Sequence, residues 1–325
     1  MSALWKNLRA AVPDPFLPAL GLAAGFLAFV AWDQSHWWRI KDDYSFGWLV
    51  PLFVVYVVYD RWPVIFAALR VCSAAGSPRA TGAAAWLLWT LVGLSLAGGT
   101  LSFLLGALLR AGSGTTQPAT LAITVGMAGI LLPLLFIAAP ATAAPQPAGF
   151  WADARVRLAT CFVFPVLVWL VSAPMVDAIE SQLSLFLLRR VVTVVAFVFD
   201  TLGLPLEQQG NVLVLPLGNV GVADACSGIR SLTGCLFAGS FLAAVFFQEG
   251  WKKVALVGAA LGLAFLTNLA RSLFLTGWAY RYGPAAIDGF VHDAAGYAVL
   301  GLTVLGLLAL IPLLNLRFSP GKAPA

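Results

Sequence analysis

Ala119-Thr120-Leu121-Ala122-Ile123-Thr124-Val125-Gly126-Met127-Ala128-Gly129-Ile130-Leu131-Leu132-Pro133-Leu134-Leu135-Phe136-Ile137-Ala138-Ala139 carries no charged side chain across twenty-one positions. A helix rises about 1.5 Å per residue, so about 20 apolar residues cross a hydrocarbon core of about 30 Å. The stretch therefore reads as a membrane span, and seven others resemble it. The eight candidates are approximately 17–32, 47–66, 82–106, 119–139, 158–178, 226–247, 254–276 and 292–314. The second is interrupted by Asp60-Arg61. The first follows Lys6 and Arg9 and imitates a signal peptide, but only Trp32-Asp33-Gln34 follows it, with no small-residue cleavage site.

Composition agrees. Apolar residues make up 61% of the 325 and charged residues 10%, against about 45–50% and about 25% in soluble proteins. Too little charge is present to cover a soluble surface, so the chain reads as an all-α polytopic membrane protein lying in the lipid bilayer. Disordered, collagen-like and disulfide-scaffold classes are excluded by the same figures. The net charge is +5, but no Lys/Arg run makes a nucleic-acid face. Cys72, Cys161, Cys226 and Cys235 have no zinc-site spacing, and the two histidines form no HExxH. No metal or organic cofactor is implied.

Orientation follows from Lys and Arg. With the N-terminus inside, Lys6, Arg9, Arg61, Arg70, Arg79, Arg155, Arg157, Lys252, Lys253, Arg317 and Lys322 all fall on the cytoplasmic side. Both ends are then inside, and 179–225 is an extracytoplasmic cap within a single membrane domain, 1–325. The cap opens with an apolar run, Leu183 to Phe199, broken by Arg189-Arg190. Adjacent arginines are costly at a bilayer centre, so the run reads as a helix along the outer interface. The alternative is a helix that dips into the bundle. Gly210-Asn211 between apolar, β-rich flanks predicts a short hairpin. The Ala/Pro-rich stretch 138–148 reads as an inside linker without chemistry. Trp32, Trp37, Trp38, Tyr44 and Trp48 read as an aromatic belt around a structural His36.

Three places carry chemistry. Asp224-Ala225-Cys226-Ser227-Gly228-Ile229-Arg230 joins the hairpin to the sixth span. A helix N-terminus favours thiolate over thiol, and Arg230, four residues on, shares the face of Cys226. The other three cysteines have no such setting and read as space-filling residues. In the seventh span Asn268 and Arg271 share a face three residues apart. Arg271 is an intramembrane cation in the outer leaflet, a functional candidate by its cost there. His292 opens the eighth span with Asp293 beside it. Histidine is the usual base beside a cysteine nucleophile. Cys226, Arg271 and His292 thus lie at one depth and one side. Taken singly, a buried cysteine, a snorkelling arginine and a capping histidine are ordinary structural residues.

The Cys-Ser-Gly-Ile-Arg-Ser helix start, the Asn-Leu-Ala-Arg run and the histidine opening the last span together resemble the exosortase/archaeosortase family. So do the Gly210-Asn211-Val212 hairpin and Tyr44-Ser45-Phe46-Gly47-Trp48-Leu49-Val50-Pro51, giving a resemblance over about residues 30–315. The family's early motif has a histidine where this chain has Phe46, so that region is given no catalytic role. The resemblance implies a membrane-embedded cysteine transpeptidase with Cys226, Arg271 and His292 as its catalytic residues. Arg230, Asn268, Ser227, Asp293 and Asp224 would support them. Its substrates would be exported proteins carrying a C-terminal PEP-CTERM-like signal, made of a short motif, a transmembrane helix and a basic tail. The site would face the periplasm or exterior of a bacterial or archaeal cytoplasmic membrane. A transporter or channel is the competing reading, since intramembrane Arg and Asn also line solute paths. A non-catalytic scaffold is a third.

Overall fold

The computed structural model describes residues 16–221 and 229–315, with the backbone alone for Arg230 and Leu300. Helices account for 80% of it, so the class is all-α. Six helices are long and apolar enough to cross a membrane, or up to eight if each of two bent pairs counts as one span. The chain divides into two compact units, 1–176 and 177–325.

In the first unit, α1 (Phe16–Ile40) is followed by a 3₁₀ segment (Asp42–Leu49), then α2 (Val50–Asp60) and α3 (Trp62–Ser73). The expected second span is thus broken, and its halves bend by 56°. The break falls at Arg61, because Pro63 in the first turn of α3 has no N–H to continue the ladder. Next come α4 (Gly82–Ser113) and α5 (Gln117–Ile137), an antiparallel pair with Gly114 in a left-handed conformation, φ 76°, just after α4. Their backbones meet at glycine: a Cβ on Gly99 would lie 2.6 Å from the Gly129 carbonyl carbon. Close approach at small residues is the usual way apolar helices associate in lipid. The expected span 158–178 is also broken, into α6 (Ala154–Thr160), α7 (Val163–Leu167) and α8 (Trp169–Ser172), with a 49° bend. Ala173 is extended ahead of Pro174, which ends the run.

One sequence expectation fails in this unit. Trp37, Trp38 and Tyr44 form no belt: they are 8%, 3% and 0% exposed. Each finds a buried partner instead. Trp37 Nε1 donates to Thr120 Oγ1 at 3.0 Å, Trp38 Nε1 to the Ser172 carbonyl at 3.1 Å, and Tyr44 Oη accepts from the Met175 N–H at 3.0 Å. An indole or phenol is buried wherever its polar tip is satisfied. Trp32 and Trp48 do remain exposed, and His36 is exposed with its ring edge-on to Trp37. The 138–148 linker does carry a short strand. Within it β2 (Gln146–Ala148) pairs in parallel with β1 (Pro78–Ala80). Asp153, fully buried, locks the pair: it accepts from the Ala80 N–H at 2.9 Å, caps α6 through the Arg155 N–H and holds the Arg155 guanidinium at 2.8 Å. Burial pushes the Asp153 carboxyl up, but these hydrogen bonds outweigh it and hold the carboxyl below the usual carboxylate range.

The second unit contains α9 (Asp177–Thr201), the strands β3 (Glu207–Gln209), β4 (Val212–Leu215) and β5 (Gly218–Gly221), then α10 (Ile229–Phe246), α11 (Gly250–Tyr282) and α12 (Phe290–Asn315). The hairpin forms as expected, with Gly210, φ 65°, opening its two-residue turn. A third strand, β5, was not expected. α9 is long and apolar enough to cross a membrane. Its Leu188, Val191, Val192, Val195 and Phe199 are buried with Leu275 of α11 and Ala295 of α12. The packing therefore favours the bundle over a helix lying along the interface. α10 is shorter than the other spans over its described residues. It packs with α11 and α12 through Cys235, Ala243, Leu256, Ala260, Ala264, Leu307 and Ile311.

Candidate active site

Arg271 sits on α11, eleven residues before its end, and His292 lies in the first turn of α12. A glycine turn and a short 3₁₀ helix, Pro284–Ile287, reverse the chain between them, with Gly283 at φ 89°. The reversal brings the two side chains together: Arg271 Nη2 lies 2.9 Å from His292 Nε2. Gly296, one turn further along α12, faces the same guanidinium: a Cβ there would stand 3.9 Å from Nη2, an ordinary contact.

The contact matches one histidine tautomer. A guanidinium only donates, so Nε2 must accept, and the ring proton sits on Nδ1. Nδ1 lies 3.3 Å from Asp293 Oδ1, which accepts that proton's hydrogen bond. The order is Arg271, then the Nε2 lone pair, then Nδ1–H, then Asp293. His292 is about one-third exposed and Asp293 about two-thirds, with side-chain exposures of 37% and 69%. Water or a substrate can reach the pair.

Asn268, one turn below Arg271 on α11, is 4% exposed, and its carbonyl accepts from Ser272 Oγ at 3.0 Å. One residue earlier Thr267 meets Thr303 of α12, Oγ1 to Oγ1 at 3.1 Å, both buried. Sequence reasoning gave Thr267 and Thr303 no role. Each also bonds its own helix one turn back, Thr267 to the Leu263 carbonyl and Thr303 to that of Val299. The pair fixes the register of α11 against α12, and so fixes where Arg271 meets His292. The signal for Thr267 was present as a hydroxyl beside Asn268; for Thr303 the sequence offers none.

Asp224, Cys226 and Ser227 lie outside the described residues, as does the side chain of Arg230. The described part of α10 bears on their level. Gly239 opposes Ala260 of α11, where an added Cβ would meet the alanine at 2.6 Å. From Gly239 back to Ile229 is about 15 Å of helix, and from Ala260 forward to Arg271 about 16 Å. The described part of α10 therefore reaches the level of Arg271 at Ile229. The remaining cysteines fill space: Cys72 and Cys235 are buried and Cys161 is half-buried. Among the described residues no three His, Cys, Asp or Glu side chains converge on one point.

A polytopic all-α membrane protein with an arginine, a histidine and a carboxylate in line at one end of its helices is thus defined. The family model for transmembrane exosortases (Exosortase_EpsH) matches residues 37–309. The chain belongs to the transmembrane exosortase family. No curated protein and no solved structure matches it. At the level of the family, membership supports a membrane enzyme that processes protein sorting signals.

Proposed function

We propose that this protein is a cysteine transpeptidase or protease that cleaves PEP-CTERM-like C-terminal sorting signals of exported proteins through a thioester. The observation that carries the reading is the 2.9 Å contact between Arg271 and His292. It joins the two residues that the cysteine mechanism needs beside its nucleophile, a base and an oxyanion donor. In the sequence Cys226 stands three residues before Ile229, the first described residue of α10.

In the free enzyme the guanidinium caps the histidine lone pair. A scissile carbonyl that develops negative charge is a better partner for Arg271 than a neutral imidazole. As Arg271 turns to that oxygen, His292 Nε2 is released to take the Cys226 proton. Asp293 steadies the imidazolium through Nδ1–H. The Cys226 sulfur bonds to the carbonyl carbon, the C–N bond breaks, and His292 returns the proton to the leaving amine. An incoming nucleophile, water or the amine of a lipid or glycan, then gives its proton to His292 and attacks the thioester. Cys226 leaves as the thiol once His292 hands that proton back. Arg230, Asn268, Ser227 and Asp224 support the pocket. The site faces the periplasm or exterior of the cytoplasmic membrane, and the substrate's own membrane helix and basic tail hold it there.

The test is processing of a co-expressed sorting-signal substrate by wild type and by Cys226→Ala, with enzyme abundance measured by immunoblot. Wild type is expected to release the C-terminal fragment and Cys226→Ala to accumulate full-length substrate. Equal processing by both would end the cysteine mechanism.

A further inference from the structure

The three-stranded sheet has two edges, and they are unlike. On β3, Glu207, Gln208 and Gln209 are all exposed. Gln209 Nε2 donates to Glu207 Oε1 at 3.1 Å and Gln208 Nε2 to the Gly210 carbonyl at 3.2 Å. Charged and polar side chains of this kind discourage another strand from pairing. On β5 the sequence is Gly218-Asn219-Val220-Gly221, without charge or proline, and with two positions lacking a side chain. Glycine in a strand marks a place where another backbone can come close.

The register says which groups face outward. A two-residue turn joins Leu215 to Gly218, so that pair exchanges both of its hydrogen bonds. Pairs alternate, so Val220 bonds Leu213 in the same way, and Asn219 and Gly221 turn their N–H and C=O away from β4. No partner takes these groups among the described residues. Asn219 and Gly221 are exposed. Leu215 and Val220 point to the face packed on Ala279, Tyr280 and Ile287. A Cβ on Gly218 would meet Pro284 at 3.0 Å, so the short helix before His292 lies on that face. A Cβ on Gly221 would meet nothing within 4 Å.

We propose that β5 is the docking edge for the substrate. An extended segment of the exported protein, just ahead of its C-terminal membrane helix, adds as a fourth strand beside Asn219 and Gly221. This rests on the transpeptidase reading above and supplies its binding mode. Three features select an extended peptide as the occupant. The open groups are backbone donors and acceptors, which another strand satisfies. The edge carries neither charge nor proline. In the sequence Gly221 also stands five residues before Cys226, a reach of at most about 18 Å. Backbone pairing holds the substrate whatever its side chains are, and register sets which peptide bond arrives at Cys226.

The experiment uses wild-type enzyme in proteoliposomes and a synthetic sorting-signal substrate, N-methylated at one backbone position at a time through the extended segment. Pairing predicts alternation: methylation at two positions two residues apart raises KM about tenfold each, the worth of one hydrogen bond. Methylation between them leaves KM unchanged. Uniform tolerance or uniform loss would overturn the docking edge, while cleavage of the unmodified peptide would leave the transpeptidase reading standing. No cleavage of the unmodified peptide would overturn that reading and the edge with it. On the enzyme, Gly221→Pro removes one outward N–H and keeps the β4 bonds, whereas Gln208→Pro does the same on the β3 edge. The first is expected to raise KM about tenfold and the second to match wild type. Normal KM for Gly221→Pro would refute the proposal, and equal losses in both would show a general effect on the sheet instead. The N-methyl series decides the matter if Gly221→Pro fails to fold.

Discussion

Replacing Arg271 by lysine separates a catalytic arginine from one that merely reaches for the headgroups. Both stems are long enough to snorkel, so a snorkelling Arg271 should accept lysine with little loss. The geometry demands more. Arg271 Nη2 is 2.9 Å from His292 Nε2. In the proposed cycle the same group swings to the scissile oxygen. Lysine keeps the charge but loses the planar fork that can serve two acceptors from one position. Loss of one oxyanion donor costs about 10²–10³ in rate, or roughly 2.7–4 kcal/mol of barrier. Lysine keeps a charged donor, so the stability loss stays below the about 1.5–3 kcal/mol of a lost hydrogen bond to a charged group, and the variant should still accumulate in the membrane. Arg271→Lys is therefore expected to lower kcat by about 10²–10³ at near-normal abundance, read as the initial rate of fragment release on a quantitative immunoblot. Asn268→Ala, which touches no reacting atom in this scheme, should be milder. An Arg271→Lys enzyme working at wild-type rate would refute the reasoning and leave the oxyanion without a donor.

Single cysteines placed in a background lacking the native four should report topology. Positions 40 and 205–215 are expected to label with an impermeant thiol reagent from outside, and 75, 150 and 250 only after permeabilisation. Labelling of position 250 from outside would invert the proposed site orientation. Asp153→Asn should lower thermal stability by about 1.5–3 kcal/mol, since it weakens charge-assisted bonds to Arg155 and to two backbone N–H groups. Because the folded carboxyl lies below its usual range, its contribution is complete above that range and is lost as pH falls through the lowered value. Wild type should destabilise on acidification through this window more steeply than Asp153→Asn in a melting series, and parallel curves would count against the buried charge. Gly99→Val puts side-chain carbon where the Gly129 backbone already lies, so α4 and α5 must part. A fall of several degrees in melting temperature is expected, and an unchanged value would contradict the close approach.

The spans were legible because uncharged runs of this length have few other uses, and Lys/Arg placement gave a direction to read them in. Breaks were harder. Asp60-Arg61 marked the interruption of the second span, but Pro165 falls inside an apolar run, and nothing in hydropathy says that the run bends near it. The parallel pair of Pro78–Ala80 with Gln146–Ala148 was invisible for a different reason. Each strand has three residues, and what holds them is Asp153, a side chain outside both. Trp37, Trp38 and Tyr44 misled because an amphipathic aromatic serves equally at an interface and in a core with a polar partner. At the site, Arg271 and His292 could be read together because a cation and an imidazole within apolar helices are costly without a purpose. The Thr267 and Thr303 pair that sets their register could not, since hydroxyls in apolar helices usually bond their own backbone.

The central claim is a covalent one: the substrate's carbonyl carbon passes through a thioester on Cys226. Purified enzyme in proteoliposomes, mixed with a sorting-signal peptide and quenched in acid before turnover is complete, should yield an acylated active-site peptide by mass spectrometry. The adduct is expected on Cys226 and on none of Cys72, Cys161 or Cys235, cleaved by neutral hydroxylamine and absent from Cys226→Ala. His292→Ala should slow its appearance, and Arg271→Lys should slow it by about the same 10²–10³ as turnover. Release of the C-terminal fragment at normal rate with no adduct on Cys226, or with the adduct on another cysteine, would contradict the account.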